Sequence, residues 1–478
     1  MPETAVESPT RFAEPMCVGI CRGGTYGLFG EPDECVAPAR GLGARLVRIF
    51  LYWAQLEPEP GRYDWTALDA FVDQLRDGDR AWITVAGSSP FGSRVATPFL
   101  PPSPATDRAA YRAFIRRMVR RSAGRVQFWQ CEIEPCVPLM WAGSPQDYLE
   151  QLAIFSAAVR AEAPTATVVL GAAVPAAMLA DAPGSDRRML DGMRQITVTG
   201  AGLYDAFDIH PYGDPYLIDD LVASARSMMA EAGAQRPILA GEYAGPMPTA
   251  YRQNLPALRG VLAGYRQAFG DRQAQPVGLG PEADHPEMIK LYQEIDHLPA
   301  TLRMFLRDGD PDLAQRRDLS VGNDMIIRTA LLATAGVGVV APFQLAPERT
   351  QESPYTLRAL MFSAFALYDD SRPDAGPGGW IRSPRRTART YAQVAEAFNG
   401  ATGARRLEHG DDGLYVIEID RPDHPVLVAW RRDDERTEIA VPTTSDTPGR
   451  VTVDAHPQLI VSAPHHSTDR SPSWTDVN

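Results

Sequence analysis

The sequence is poor in cysteine, holds no long uncharged apolar run, and carries no excess of basic charge. Its five cysteines, Cys17, Cys21, Cys35, Cys131 and Cys136, are odd in number and confined to the N-terminal third of 478 residues. That distribution excludes the disulfide framework of a secreted domain. No two of them form a CxxC pair and no histidine lies near them in sequence, so they are expected as buried small hydrophobes rather than zinc ligands. No stretch reaches the about 18 uncharged apolar residues that a membrane span requires. The opening "MPETAVESPTRFAEPM" lacks the apolar core of about 7 to 15 residues that marks a secretory signal, so the expected location is the cytoplasm. With 60 acidic against 47 basic residues the net charge is −13. A nucleic-acid partner is excluded on that balance, because phosphate binding needs a basic face. The basic run "RAFIRRMVRR" reads as one solvated helix face. "CRGGTYGLFG" is glycine-rich but lacks GxGxxG spacing and a following lysine, so no phosphate cradle is expected. There is no internal repeat of fixed period.

What is present is an alternation. Eight apolar runs of strand length, "MCVGIC", "ARLVRIFL", "RAWITVAG", "VQFWQCEIE", "TVVLGAAV", "AFDIHPY", "PILAGEY" and "GVVAPFQL", are separated by longer segments of helical period. Repeated βα units predict an α/β chain with a parallel sheet, and eight of them close most economically as a (β/α)8 TIM barrel. "SPQDYLEQLAIFSAAVRAEA" opens with a serine cap followed by proline in the first turn. The seventh and eighth runs are far apart, which predicts an insertion at about 246–320 within a barrel spanning 14–400. Beyond it the pattern changes to short alternating runs such as "GLYVIEID" and "PVLVAWRR", predicting a small antiparallel, β-sandwich-like domain over 401–466. Residues 1–13 and 467–478 read as tails.

In a barrel of this kind the active site faces the carboxyl ends of the strands. Those ends carry Arg48 in the second run, Glu132 and Glu134 in the fourth, His210 and Tyr212 in the sixth, Glu242 in the seventh and Gln344 in the eighth. Strand alternation places Glu132 on the same inward face as Glu134. A carboxylate in an apolar strand is costly unless compensated. Glu134 and Glu242, converging from two strands, form the pair that glycoside hydrolysis needs. At about 5–5.5 Å apart one attacks while the other protonates the leaving oxygen, and at about 6.5–9.5 Å a water fits between them and the configuration inverts. The bland alternative is that each is salt-bridged at the rim to an arginine. Trp53 and Trp141 fall where loops are expected and are candidates to stack on a sugar.

These segments resemble a known family. "YWAQLEPEPGRYDWTALDAFV" is similar to the second-strand loop of clan A glycoside hydrolases. "FWQCEIEPCVPLMWAGSPQDYLEQL" resembles the acid/base segment of glycoside hydrolase family 39, which includes β-xylosidases and α-L-iduronidases. "DAFDIHPYG" and "RPILAGEYAG" resemble its sixth strand and its nucleophile strand. The resemblance covers about residues 14 to 245, and "NDMIIRTALLATAGVGVVAPFQL" is similar to the family's last βα unit. It implies retaining chemistry with Glu134 as acid/base and Glu242 as nucleophile, with no metal and no cofactor. It also implies that Arg48 and Tyr212 hold the nucleophile and that His210 lines the sugar site. One departure stands out. The family carries Trp-Asn before the acid/base, the Asn bonding the sugar 2-hydroxyl, and here those positions are Glu132 and Ile133.

An isoleucine makes no such hydrogen bond. Contacts to the 2-hydroxyl strengthen in the transition state. The substrate is then a 2-deoxy or 2-substituted sugar, or turnover is slow or lost. The expected activity is that of a retaining glycosidase on a small glycoside or oligosaccharide. Two alternatives stay open: a barrel that binds a glycan or a protein partner without hydrolysis, and a transglycosidase of specialised metabolism.

Overall fold

The computed structural model describes residues 10–270, 285–307, 309–347, 363–369, 383–433, 435–441 and 449–461. The expected C-terminal tail lies outside these residues, as do residues 1–9 and the segment 271–284 within the expected insertion.

The first ten strands are β1 (Thr10–Arg11), β2 (Cys17–Val18), β3 (Ile20–Cys21), β4 (Leu46–Tyr52), β5 (Arg80–Ala86), β6 (Phe128–Cys131), β7 (Thr167–Val169), β8 (Phe207–Asp208), β9 (Ile238–Ala240) and β10 (Val339–Val340). All eight expected runs supply strands, mostly shorter than the runs themselves. β2 and β3 are two halves of the first, divided at Gly19, where an added Cβ would lie 2.7 Å from the Leu46 side chain. β3 through β7 pair in parallel in chain order, and β2, β10, β9 and β8 form a second parallel set. Parallel bridges Val169–Ala206 and Ala173–Ile209 join β7 to β8. β2 and β3 are consecutive, so each of the two parallel sets has one edge in the first run. β4 is buried along its whole length and β5 nearly so, as expected of parallel strands covered on both faces.

Helices connect the strands. Pro145–Glu162 begins as its sequence predicts: the Ser144 hydroxyl accepts from the Asp147 amide at 3.1 Å, and the Asp147 carboxylate accepts from the Ser144 amide at 2.9 Å. This capping box satisfies amides that the first turn leaves open.

Between β9 and β10 the helices Leu255–Gly270, Pro286–Gln293 and Ala300–Leu306 precede Pro311–Thr334. Leu258, Met288, Leu291, Leu302 and Phe305 from this region share one apolar cluster with Cys21, Phe50, Tyr52, Ala86 and Phe343. The insertion therefore packs over the carboxyl ends of the strands. Its expected limit near 320 needs correction, because Pro311–Thr334 runs unbroken through that point. The helix starts where Asp310 caps the amides of Asp312 and Leu313 with proline in the first turn.

After the antiparallel pair β11 (Tyr368–Asp369) and β12 (Ser383–Pro384), the helix Arg386–Phe398 leads to β13 (Gly403–Arg406), β14 (Leu414–Asp420), β15 (Val426–Arg431), β16 (Thr437–Val441), β17 (Gly449–Val453) and β18 (Gln458–Val461). One antiparallel sheet has the order β1-β13-β14-β15-β18, and β16 pairs with β17. Thr10 and Arg11, expected within a tail, are thus an edge strand opposite Ala404 and Gly403. Alternation decides the two faces of the sheet. Tyr415, Ile417, Ile419, Val428 and Trp430 join the main core, whereas Leu414, Val416, Leu427 and Ala429 pack with Ile439, Val441 and Val453 of the β16–β17 hairpin.

Candidate active site

The inner face of the parallel strands carries a layer of polar side chains. Arg48 of β4, Thr84 of β5, Gln130 of β6 and Asp208 of β8 are all fully buried. Each occupies an alternate position in an apolar run, so each points inward. Arg48 ties the layer together: Nε donates to Thr84 Oγ1 at 3.0 Å, NH2 to Gln130 Oε1 at 2.7 Å, and NH1 to the Gly241 carbonyl and to Glu242 Oε1, both at 2.8 Å. Gln130 in turn donates to Asp208 Oδ2 at 2.8 Å, and the Gly241 amide to Asp208 Oδ1 at 2.6 Å. Phe50 and Trp82 lie against the guanidinium at 4.7 and 4.9 Å.

Above this layer stand the two glutamates. Glu242 follows β9. Arg48 holds its Oε1, and the Tyr212 hydroxyl donates to its Oε2 at 2.9 Å. Glu134 follows β6 and accepts from His210 Nδ1 at 2.7 Å. His210 Nδ1 is also 3.7 Å from Glu242 Oε2, and Nε2 is 3.3 Å from Asp208 Oδ2. The nearest ligating atoms of Glu134, His210 and Glu242 all fall within 4.8 Å of one another. Of the two carboxyl side chains, Glu134 is the more open, at 12% exposure against 5% for Glu242.

Charge settles what the histidine does. Burial alone would lower its pKa, but Glu242 and Asp208, with hydrogen bonds to Asp208 and Glu134, push it up to about 10. The surrounding carboxylates thus favour the charged form of His210. Burial raises the Glu242 carboxyl above the ordinary range, opposed by His210 and Arg48 and reinforced by Glu134. The Tyr212 phenol is raised well above its usual value by burial and then by Glu242, so it remains a donor.

One consequence is measurable. The folded chain keeps a proton on His210 that the unfolded chain, with a histidine pKa of about 6.5, releases earlier. The stabilisation this gives is complete below about pH 6.5 and is lost as the pH rises through about 10. The urea midpoint should fall steadily across that interval, and His210→Gln should flatten the fall. A slope that the substitution leaves unaltered would show that His210 is not the group responsible.

Glu134, His210 and Glu242 are also the one grouping of candidate metal ligands among the described residues. A cation there would have to displace the proton from His210 and sit beside the Arg48 guanidinium. Positive charge already balances these carboxylates, so the group reads as an ion-pair network.

The structure thus gathers Arg48, Glu134, His210, Tyr212 and Glu242. It places Trp53 and Trp141 elsewhere. Trp53 is fully buried in the core, with its ring stacked on Phe114 at 5.6 Å and its indole N–H given to Glu57 at 2.7 Å. Trp141 is equally buried, edge-on to Tyr148 and bonded to the Ser144 carbonyl at 3.2 Å. Both are corrected from sugar platforms to packing residues, because each packs on a helix, Trp53 on Phe114 of Arg108–Arg121 and Trp141 on Tyr148 of Pro145–Glu162. Gln344 is buried just beyond β10, between Phe343, whose amide bonds the Tyr243 carbonyl, and Leu345, whose amide bonds that of Cys21. Ile133 is half-buried and packs against the apolar cluster beneath the insertion.

Glu132 needs a larger correction. β6 ends at Cys131, and Glu132 has φ +59°. That left-handed conformation breaks the alternation expected to aim it beside Glu134, at a cost of roughly 1–2 kcal/mol for a residue with a Cβ. Its carboxyl receives the Gly87 amide at 3.0 and 3.1 Å and the Gln151 carboxamide at 2.6 Å. Burial, opposed by these hydrogen bonds, pushes its pKa up to about 8.

Thr84, Gln130 and Asp208 were missed in sequence because only the strand ends were read. Their signal is a polar residue inside an apolar run: Thr84 in "AWITVA", Gln130 in "FWQCE" and Asp208 in "FDIH".

No protein-family model and no curated protein matches the sequence. The likeness lies in the fold, and it is to solved glycoside hydrolases at low sequence identity. A family 39 glycoside hydrolase from Bacteroides cellulosilyticus, of the family the sequence resembles, matches with TM-score 0.58 at 14% identity, covering 94% of this chain and 81% of that one. A glucosidase from Croceicoccus marinus matches with TM-score 0.53 at 16% identity over 95% and 82% of the two chains. A family 51 α-L-arabinofuranosidase from Bifidobacterium longum matches with TM-score 0.53 at 12% identity over 96% and 97%.

Proposed function

We propose that the chain is a retaining glycosidase acting on a small glycoside, and that its eight parallel strands close a (β/α)8 barrel with the glutamate pair at its mouth. The observation that carries this reading is the approach of Glu134 and Glu242 to within 4.8 Å between nearest oxygens. That close approach is nearer to the separation at which one carboxylate attacks directly than to the wider one that admits a water. Glu242, held by Arg48 and Tyr212 with its oxygens fixed, is the nucleophile that attacks the anomeric carbon. Glu134, the more open of the two, gives its proton to the departing oxygen. It then takes a proton from the water that cleaves the glycosyl-enzyme. His210 stands between the two carboxyls, bonded to Glu134 through Nδ1 and 3.7 Å from Glu242 Oε2. The five cysteines are buried and none is in a disulfide, which supports placement in a reducing compartment.

Activated 2-deoxy-2-fluoro glycosides test the nucleophile, with intact-mass measurement and peptide mapping as the readout. One sugar added on Glu242 is expected. An adduct on another residue would overturn the assignment, and neither adduct nor turnover across a broad panel would overturn the activity. Ile133 favours a second reading, a glycan-binding barrel without hydrolysis, because an apolar side chain stands beside Glu134. That reading predicts sugar binding that survives replacement of both glutamates, with no turnover by the unsubstituted protein.

A further inference from the structure

Glu132 is buried, its carboxyl takes the neutral Gly87 amide and Gln151 carboxamide, and it stands two residues before Glu134 in a backbone conformation that side-chain-bearing residues avoid. Ala123 is the one other non-glycine residue with positive φ among the described residues. The turn is clamped on every side. The Glu132 amide still pairs with Val85 at 3.0 Å, the last bond that β6 makes to the β5 side. The Ile133 carbonyl accepts from the Ala172 amide, and the Tyr148 hydroxyl bridges the Cys131 carbonyl at 3.0 Å and the Gly171 amide at 2.8 Å.

The donors to the Glu132 carboxyl are fixed in direction. Gln151 Oε1 accepts from the Ala105 amide at 2.9 Å, which turns its NH2 group toward Glu132. Gly87 presents a bare backbone, and a Cβ there would lie 2.7 Å from both Glu132 Oε1 and Gln151 Nε2. The pocket thus demands an acceptor oxygen at one point and a glycine opposite it.

We infer that Glu132 is a positioning residue for Glu134: its carboxyl, tied to the Gly87 amide and the Gln151 carboxamide, holds the left-handed turn that aims Glu134 at His210 and at the leaving oxygen. The inference rests on the reading of Glu134 as acid/base given above. No proton passes through Glu132. Its oxygens lie against Gly87 and Gln151, whereas Glu134 is bonded to His210.

The test uses the dependence of turnover on the leaving group, since only poor leaving groups need the acid. Glu132→Ala removes the tether. Gly87→Ala leaves Glu132 in place and pushes its carboxyl aside. Glu132→Gln keeps the one oxygen, Oε1, that accepts from both donors. Each variant is assayed with the 2,4-dinitrophenyl and the methyl glycoside of the sugar that labels Glu242 in the unsubstituted protein. Glu132→Ala and Gly87→Ala should each lower kcat/KM for the methyl glycoside by about 10- to 100-fold more than for the dinitrophenyl glycoside, the scale of a small misplacement of a catalytic group. Glu132→Gln should recover most of the loss. The ratio of the two substrates within one preparation does not depend on how much of the variant is folded.

Equal losses on both substrates would overturn the inference, since they report folding alone. So would a Glu132→Gln variant as impaired as Glu132→Ala, because then the proton on Glu132 matters and not its geometry. If the unsubstituted protein is labelled at Glu242 and turns over both substrates while the ratios stay constant, only this inference falls. If the unsubstituted protein turns over neither, the reading of Glu134 falls and takes the inference with it.

Discussion

Replacing Glu242 by alanine is expected to reduce turnover by roughly 10⁴-fold or more, the scale seen when a residue of a covalent catalytic group is removed. The chain would lose the atom that attacks the anomeric carbon while keeping the cradle that holds it. Arg48 would still reach Thr84, Gln130 and the Gly241 carbonyl, so the layer beneath should persist. Glu134→Gln separates the two roles. The amide cannot give a proton, so poor leaving groups should lose about 10² to 10⁴-fold. Activated aryl glycosides should form the glycosyl-enzyme at near-normal rate and then accumulate it, because water has lost its base. Adding azide, a nucleophile that needs no base, should restore turnover in Glu134→Gln. The comparison of initial burst, steady state and azide response checks all of this. A Glu242→Ala variant with unaltered activity would eliminate the mechanism, and a Glu134→Gln variant equally slow on every leaving group would remove Glu134 as acid.

Most of what the sequence made legible came from apolar runs of the right length. The runs ending in "EIEP", "DIHPY" and "LAGEY" place Glu134, His210, Tyr212 and Glu242 at strand ends, and parallel pairing brings those ends together. Arg48 could be read because a cation inside "ARLVRIFL" has few other uses. Glu132 could not be placed, since alternation assumes extended backbone and a single residue at φ +59° reverses where the side chain points. The two tryptophans failed for a related reason. A position between a strand and the long helix after it is compatible either with facing the mouth or with turning onto a neighbouring helix, and the packing of Trp53 on Phe114 is a tertiary choice. The limit of the insertion was missed because helical period continues through 320 without a break, while the signal that mattered, an Asp-Pro start at Asp310, is only two residues long.

Arg48→Met is the other change with a large expected effect, and it acts on stability and on chemistry together. The guanidinium is buried completely and bonded to Glu242, Gln130, Thr84 and the Gly241 carbonyl. Removing one partner of a buried charged pair leaves the other without compensation, a loss of about 3–5 kcal/mol. That should appear as a lowered urea midpoint. His210 would remain as the cation nearest both Glu242 and Asp208, so the protein should still fold. The chemical effect follows from the direction of one pKa. Burial already raises the Glu242 carboxyl, and Arg48 is among the charges that oppose the rise. Without Arg48 the carboxyl moves further up, by roughly 1 to 3 pH units on the usual scale for a neighbouring arginine. A nucleophile must be ionised, so the acid limb of the kcat/KM profile should shift to higher pH by that amount, while the alkaline limb, which reports the acid, shifts less. Arg48→Lys should recover part of the charge but not the fork that spans Glu242 and Gln130, giving an intermediate limb. An acid limb unmoved in Arg48→Met would mean that the limb belongs to a group other than Glu242, and the nucleophile would have to be sought elsewhere in the site.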